Sequence, residues 1–327
     1  MTSLIGHAAA QAAFEAALRG GALHHAWLLA GPEGVGKATF AEMAALRVLA
    51  EAGGGPALPP GLDVPADHPT RKLLEAGSHP DFKRLARLTK TGESGAESVA
   101  RSITIDQVRT LQPMFATTPA LGARRAVIID AIDDLERAGA NALLKNLEEP
   151  PAGTLFLLVS HAPGRLLPTI RSRCRLLRFG ALDESEVREA LRRALPEASD
   201  DEIAATARAG EGAPGRALRF AGLDVAALDG AMDRIMRSGD PDNAERTSLA
   251  QALSGRSAQA RYEALLDRAP AAIAAAARRR AGPALAVALQ AHQDARDLAG
   301  SALGLSLDPQ ATVFEMAGIL ARLASPA

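Results

Sequence analysis

The chain has 327 residues, enough for two or three domains, and its 47% hydrophobic and 23% charged residues are typical of a soluble globular protein. With 37 basic and 38 acidic residues the net charge is −1, which excludes a protein that coats DNA through overall positive charge. The single cysteine, Cys174, excludes an internal disulfide framework and a cysteine-rich zinc site. Because no apolar run approaches about 18 residues and the N-terminus has no leader-like pattern, we expect a cytoplasmic protein without a membrane segment.

Short apolar runs alternate with helical patterns through about residue 180. The runs predict buried strands at residues 25–30, 126–130, 154–159 and 174–179. A helix is predicted from residue 38 to about 49, and the stretch 51–69, rich in glycine and proline, predicts a loose surface insertion. Continuous apolar strands separated by helices indicate a doubly wound parallel α/β domain with both faces of its sheet covered.

Beyond residue 180 only helical patterns remain. Asp183 and Glu186 form a capping box, which predicts the start of a helix. Two further short helices, at residues 200–209 and 215–220, complete a small helical lid over residues 181–225.

The last segment is predicted to be a helical domain with apolar faces at helical spacing. These faces are Leu285, Leu289 and His292 in one helix, and Val313, Met316, Leu320 and Leu323 in another. We therefore predict an α/β domain over residues 1–180, the lid over 181–225 and a helical domain over 226–327.

Residues 31–37 follow the G-x-x-x-x-G-K pattern of a phosphate-binding loop, with Gly31, Gly34, Gly36 and Lys37 at the required positions. The glycines let backbone N–H groups turn toward an anion, and Lys37 supplies a positive charge for phosphate. The next position should carry a Ser or Thr hydroxyl for Mg²⁺, but it is Ala38. An ordinary glycine turn between a strand and a helix is the alternative interpretation.

Asp130 ends the strand at 126–130, where P-loop proteins place an acidic residue that holds Mg²⁺. The alternative is a helix cap after a buried strand. ATPases of the AAA+ kind carry a Glu next to this residue, but Ala131 stands there. Asp133 and Asp134 are expected on the following turn or helix, pointing elsewhere.

Residues 171–175 contain three arginines: Arg171, Arg173 and Arg175. Arg is a planar and permanently charged group that can stabilise a transferring phosphate in a neighbouring subunit's active site. A solvated basic turn is the ordinary alternative.

Together these segments resemble the clamp-loader branch of the AAA+ family, strongly over about residues 1–222 and only in being helical beyond. Ser172, Arg173 and Cys174 reproduce a motif of that family. The other matching segments are residues 4–7, 25–37, 78–82, 105–109, 141–151, 167–174 and 212–218.

The resemblance implies roles for individual residues. Arg173 would be an arginine finger that acts in trans on a neighbour's ATP site. Ser160 would lie near the sensor-1 position, and Arg216 would be the sensor-2 arginine. Asp130 would be a degenerate Walker B residue.

The resemblance also implies a nucleotide, ATP or ADP, that is bound without turnover. Its binding residues would be Gly31, Gly34, Gly36, Lys37, Thr39 and Arg216. Thr39 comes one residue late in the motif, and since a helix turns about 100° per residue, its hydroxyl should miss the metal position. No zinc is expected, because residues 47–78 lack the cysteines of the zinc module that relatives often carry.

The leading hypothesis is a non-hydrolysing subunit of a DNA polymerase III clamp loader, with Arg173 serving its neighbour. Its partners in a hetero-oligomer would be the gamma/tau and delta subunits and, indirectly, the sliding clamp and primed DNA. The alternative is an active ATPase motor of the gamma/tau kind, in which Thr39 and Asp133 or Asp134 replace the lost groups. A third hypothesis, a free-standing nucleotide- or DNA-binding module, is disfavoured by the net charge of −1.

Overall fold

The computed structural model describes residues 4–91, 97–305 and 307–324. Five parallel strands form one sheet in the order β2-β5-β6-β1-β7. They are β1 (Ala26–Ala30), β2 (Phe82–Ala86), β5 (Arg125–Asp130), β6 (Thr154–Ser160) and β7 (Arg175–Arg178). A separate antiparallel pair is made by β3 (Thr89–Thr91) and β4 (Glu97–Val99).

Helices flank these strands along the first part of the chain. They are α1 (Ala8–Arg19), α2 (Lys37–Gly53), α3 (Pro69–Glu75), α4 (Ile105–Arg109), α5 (Gln112–Phe115), α6 (Arg137–Glu148), α7 (Pro168–Arg171) and α8 (Glu184–Ala194). The rest of the chain is helical in its described part. Its helices are α9 (Asp200–Gly210), α10 (Pro214–Leu218), α11 (Val225–Ser238), α12 (Ala244–Leu253), α13 (Gln259–Ala277), α14 (Gly282–Leu305) and α15 (Pro309–Ala321).

The sheet is buried on both faces, as its continuous apolar strands predict. On one face Trp27 and Leu29 of β1 pack in a core with residues of α2, and on the other Ala26 and Leu28 pack in a core with residues of α6. The predicted fold class, a parallel α/β domain followed by helices, is confirmed. The four predicted strands appear as β1, β5, β6 and β7.

The chain divides into two compact units. One contains Met1–Ala194 and Glu211–Arg216, and the other contains Leu195–Gly210 and Ala217–Ala327. The predicted capping box opens α8: the Asp183 N–H donates to Glu186 Oε2 at 3.0 Å, and the Glu186 N–H donates to Asp183 Oδ1 at 2.9 Å. The finer division into three domains stays a prediction.

The glycine- and proline-rich stretch is anchored, so the prediction of a loose insertion was wrong. Leu62 and Val64 are each only 4% exposed and pack against the first unit's core residues. Arg47 of α2 donates through Nη1 to the carbonyls of Pro59 at 2.7 Å and Asp63 at 3.1 Å. Glycine and proline here shape a turn-rich path that a buried arginine holds in place.

The prediction of which residues form the apolar face of α14 was also wrong. Leu289 is 56% exposed, whereas Ala291 and Ala295 are fully buried. Small side chains let neighbouring helices approach closely, so alanines rather than leucines form the packed face of α14. In α15 and just beyond it, the predicted residues Val313, Met316, Leu320 and Leu323 are buried. Over the described ranges, no helix combines the length and apolar character needed to cross a membrane.

Candidate functional site

Three parallel strands end side by side at one edge of the sheet. β1 pairs with β6 so that Ala30 lies opposite Ser160, and β6 also pairs with β5, which ends at Asp130. The glycine loop (residues 31–37) follows β1 directly, and the Gly31 N–H donates to the Ser160 carbonyl at 3.3 Å. The glycine loop, Asp130 and Ser160, predicted separately from the sequence, therefore meet at the carboxyl edge, where α/β proteins bind ligands.

The glycines of the loop are required by its geometry. Gly34 and Gly36 have φ angles of 78° and 109°, in the left-handed region. A Cβ on Gly31 would lie 2.1 Å from the Phe179 carbonyl oxygen. The loop leads into α2 at Lys37, and the first N–H groups of a helix have no partner within it. This arrangement suits an anion and favours the phosphate-binding interpretation over an ordinary turn.

Lys37 is only 2% exposed and points back into its own loop. Its Nζ donates to the carbonyls of Gly31 at 2.7 Å and Pro32 at 2.5 Å. Burial lowers the pKa of Lys37 from 10.5 to about 8, although the nearby carboxylates of Asp130 and Asp133 oppose that shift. A phosphate bound in the loop would accept hydrogen bonds that Lys37 now donates to these two carbonyls.

Asp130 is held by an arginine that the sequence reasoning missed. Arg84 of β2 donates through Nη2 to Asp130 Oδ2 at 2.6 Å and through Nη1 to Glu42 Oε1 at 2.5 Å. β2 pairs with β5 so that Arg84 lies opposite Ile128 and Ala86 lies opposite Asp130. Arg84 is therefore two residues from the strand end at which Asp130 lies. No local motif marks Arg84, because its partners Glu42 and Asp130 are 42 and 46 residues away and meet it only in the folded chain.

Asp133 lies closer to the site than the sequence suggested. It follows Asp130 on a 3-10 turn, and its carboxylate accepts from the Ser160 hydroxyl at 3.0 Å and from the N–H groups of His161 at 2.7 Å and Ala162 at 3.2 Å. The prediction that Asp133 points away was therefore wrong. Asp134 does point elsewhere, because it pairs with Arg87 at 3.0 Å.

Two segments contact the glycine loop from outside the sheet. The Gly215 N–H donates to the Gly34 carbonyl at 2.8 Å, and a Cβ on Gly34 would lie 2.6 Å from the Arg216 nitrogen. Arg216 thus has its backbone beside the loop, while its guanidinium donates to Glu211 at 2.7 Å. The second segment is at the N-terminus, where His7 Nε2 lies 2.8 Å from the Val35 carbonyl oxygen.

Ala38 and Thr39, near the start of α2, differ in whether their side chains could contact a metal or a nucleotide. Ala38 and Thr39 are both half-buried on the first turn of α2. Ala38 has no oxygen to offer a metal. Whether Thr39 contacts a nucleotide stays a prediction.

Arg173 lies at the opposite edge of the sheet from the glycine loop, that is, where the parallel strands begin. It is two residues before β7, whose first residue, Arg175, pairs with Trp27 near the start of β1. Its Nη2 lies 2.6 Å from Glu148 Oε1, and its Nη1 donates to the Thr169 carbonyl at 2.8 Å. Strands of four or five residues span roughly 13 to 17 Å, so Arg173 cannot reach this chain's own glycine loop.

Cys174, next to Arg173, is a half-buried free thiol. Burial raises its pKa from 9.0 to about 12. Within the described ranges, no three or more His, Cys, Asp or Glu side chains are grouped so as to hold a metal ion.

A parallel sheet with a glycine loop between its first strand and the following helix defines an α/β protein of the P-loop type. The model of the family described as DNA polymerase III, delta subunit, matches residues 6–183, more than half of the 327 residues. The chain therefore belongs to this family.

Relatives named delta-prime and tau share substantial parts of the chain. The delta-prime subunit of DNA polymerase III from Pseudomonas aeruginosa is 36% identical over 216 residues, 66% of this chain and 61% of that protein. The Escherichia coli K12 delta-prime subunit is 37% identical over 147 residues, covering 45% and 41%. The tau subunit of the same organism is 31% identical over 240 residues, covering 71% and 34%. Each alignment spans less than two thirds of the relative's own length.

Proposed function

We propose that this chain is a non-hydrolysing, delta-prime-like subunit of the DNA polymerase III clamp loader, which donates Arg173 to the ATP site of a neighbouring subunit. The family match and the delta-prime relatives support this class. The observation that carries the proposal is the position of Arg173, at the opposite edge of the sheet from the glycine loop and paired with Glu148. An arginine that cannot serve its own site suits a role in trans.

The proposal includes partners and a location. The chain would join gamma/tau and delta subunits in a cytoplasmic hetero-oligomer that loads the sliding clamp onto primed DNA. Within that assembly it would provide structural support, with residues 226–327 as an oligomerisation domain and residues 181–225 as a sensor-2 lid.

The proposal also includes a nucleotide, ATP or ADP, bound without turnover. The left-handed glycines and the N-terminus of α2 support phosphate binding by Gly31, Gly34, Gly36 and Lys37. Ser160, Arg216 and Thr39 are the further residues proposed at this site. Against turnover, Ala131 has no carboxylate to polarise a water, and Asp133 already accepts three hydrogen bonds.

The second candidate is an active motor of the gamma/tau kind, and the 31% identity to a tau subunit favours it. It requires catalytic groups to replace Ala38 and Ala131. Steady-state ATP turnover by the purified chain, abolished in Lys37→Ala, would establish this candidate and overturn the non-hydrolysing one.

The test of the leading proposal is ATP hydrolysis by a reconstituted clamp loader. Replacing this chain by its Arg173→Ala variant should lower turnover at the adjacent site by about 10³- to 10⁵-fold, the range known for arginine fingers. Arg171→Ala is the matched control, because this arginine is exposed in the same segment and should leave turnover unchanged. Unchanged hydrolysis with Arg173→Ala in an intact complex would overturn the proposal.

A further inference from the structure

Arg84 joins two carboxylates beside the glycine loop. Its Nη2 donates to Asp130 Oδ2 at 2.6 Å, and its Nη1 donates to Glu42 Oε1 at 2.5 Å. The Asp130 side chain is only 17% exposed, whereas that of Arg84 is 40% exposed. Asp130 is the residue at which a P-loop protein would hold Mg²⁺. Here its carboxylate is instead ion-paired with the Arg84 guanidinium.

The other groups around this position do not fit a magnesium site. Mg²⁺ requires near-octahedral oxygen ligands, usually one or two carboxylates together with waters and phosphate oxygens. Ala38 and Ala131 provide no oxygen from their side chains. Asp133 directs its carboxylate to Ser160, His161 and Ala162.

Several carboxylates lie near the glycine loop and Arg84. Asp130, Asp133 and Glu33 all act on Lys37 as neighbouring negative charges. Glu42 adds another, through Arg84. An unpaired set of carboxylates would attract a divalent cation. Arg84 supplies a fixed positive charge among them, and an arginine stays protonated throughout the ordinary pH range.

We infer that Arg84 is the resident cation of this site, that it excludes a divalent metal from Asp130, and that phosphate groups in the glycine loop bind independently of Mg²⁺. The metal exclusion concerns only residues of this chain. The phosphate part rests on the proposed nucleotide binding, and the two parts have separate measurements.

The first measurement uses Mn²⁺ alone, with its free-ion signal followed by electron paramagnetic resonance. We expect wild type and Asp130→Asn to bind Mn²⁺ equally weakly, since Asp130 is already neutralised. Arg84→Gln should bind Mn²⁺ about tenfold more tightly, because a unit charge beside the carboxylates is removed. Adding Asp130→Asn to Arg84→Gln should abolish that gain.

Two further variants separate the charge from the fold. Arg84→Lys keeps a cation and should exclude Mn²⁺ as wild type does. Arg87→Gln removes the arginine that pairs with Asp134 at 3.0 Å and should not raise Mn²⁺ affinity. Circular dichroism melting checks that each variant is folded. Equal Mn²⁺ binding by folded Arg84→Gln and wild type would overturn the inference, as would a loss of wild-type Mn²⁺ binding on Asp130→Asn.

The second measurement titrates fluorescently labelled ADP into the full chain with Mg²⁺ or with EDTA. We expect the two affinities to agree within about twofold, whereas Mg²⁺-bridged phosphate binding would lose about tenfold or more in EDTA. Such a loss would overturn the inference. If no labelled ADP binds while the Mn²⁺ results are as expected, the metal exclusion stands, and the proposed nucleotide binding and the phosphate part of the inference are refuted.

Discussion

Arg173 and Glu148 form an ion pair, with 2.6 Å between Arg173 Nη2 and Glu148 Oε1. Glu148 is the last residue of α6, where the negative end of the helix dipole disfavours a carboxylate. Arg173 compensates that charge, and Glu148 in turn limits the positions open to a long side chain. The pair thus couples the C-terminus of α6 to the residue proposed to act on a neighbour.

Glu148→Gln should leave the fold intact and reduce hydrolysis in the reconstituted complex. The pair is partly exposed, so its loss should change the free energy of unfolding by no more than about 1 kcal/mol. A misplaced Arg173 should lower turnover by up to about 10²-fold, less than Arg173→Ala does. The measurements are urea unfolding of the chain and ATP turnover of the complex. Higher turnover than wild type would mean that Glu148 restrains Arg173 instead of positioning it.

Lys37 should make stability depend on pH. Its pKa is lowered to about 8 in the folded chain and is ordinarily 10.5, so between these values the unfolded chain holds a proton that the folded chain has released. Stability therefore rises with pH in this window. From about pH 7 to about pH 9.5, wild type should gain roughly 2 kcal/mol in free energy of unfolding relative to Lys37→Met.

The control for this prediction is Lys72→Met, which removes an exposed lysine of α3. Its difference from wild type should not vary with pH. Urea unfolding at several pH values provides both comparisons. A constant difference between wild type and Lys37→Met would show that Lys37 remains charged throughout.

Cys174 should react slowly with thiol reagents in the folded chain. Burial raises its pKa from 9.0 to about 12, and only the thiolate is nucleophilic. At about pH 8 its thiolate fraction is lowered by about 10³-fold, so labelling with Ellman's reagent should slow by a similar factor. Because the chain has one cysteine, the entire signal belongs to Cys174. The guanidinium-unfolded chain should label at the ordinary rate, and equally fast labelling when folded would contradict the prediction.

Arg47→Met should release the stretch that follows α2. The substitution removes the hydrogen bonds to the carbonyls of Pro59 and Asp63 and the contact of Nε with Glu51 at 2.6 Å. Hydrogen bonds to a charged group contribute about 1.5 to 3 kcal/mol, which is the loss expected in urea unfolding. Thermolysin should also cleave residues 54–64 faster than in wild type.

The matched control is Arg193→Met, which removes the exposed partner of Glu189 in α8. An exposed ion pair of this kind contributes at most about 1 kcal/mol, and the cleavage rate at 54–64 should not change. If Arg47→Met and Arg193→Met behave alike, Arg47 is not what anchors this stretch.

The sequence predicted those features that depend on neighbouring residues. Apolar runs identified the four strands, and the spacing of Asp183 and Glu186 identified the start of α8, because both signals lie within a few residues. The glycine loop and Asp130 were likewise identified from the residues beside predicted strands, and Ser160 from the resemblance. Pairs brought together only by strand order were missed: Arg84 is 46 residues from Asp130.

The α14 error has a different origin. Hydrophobic spacing counts leucine above alanine, so it placed Leu285 and Leu289 on the buried side of the helix. The contacts are decided by how closely helices approach, and the fully buried Ala291 and Ala295 permit close approach. In a chain with 47% hydrophobic but only 3% aromatic residues, alanine-lined interfaces of this kind are invisible to a search for large apolar side chains.

The strand pairing places Arg173 and the glycine loop at opposite ends of the parallel strands, so the α/β domain has two unlike ends. A two-fold symmetric contact uses one patch on both molecules, and no single patch at one edge of this sheet contains both features. Contacts that join the arginine end of one molecule to the loop end of the next are therefore heterologous. In the proposed assembly such contacts would run head to tail, and every member of the resulting arc or ring would have one donating and one receiving side.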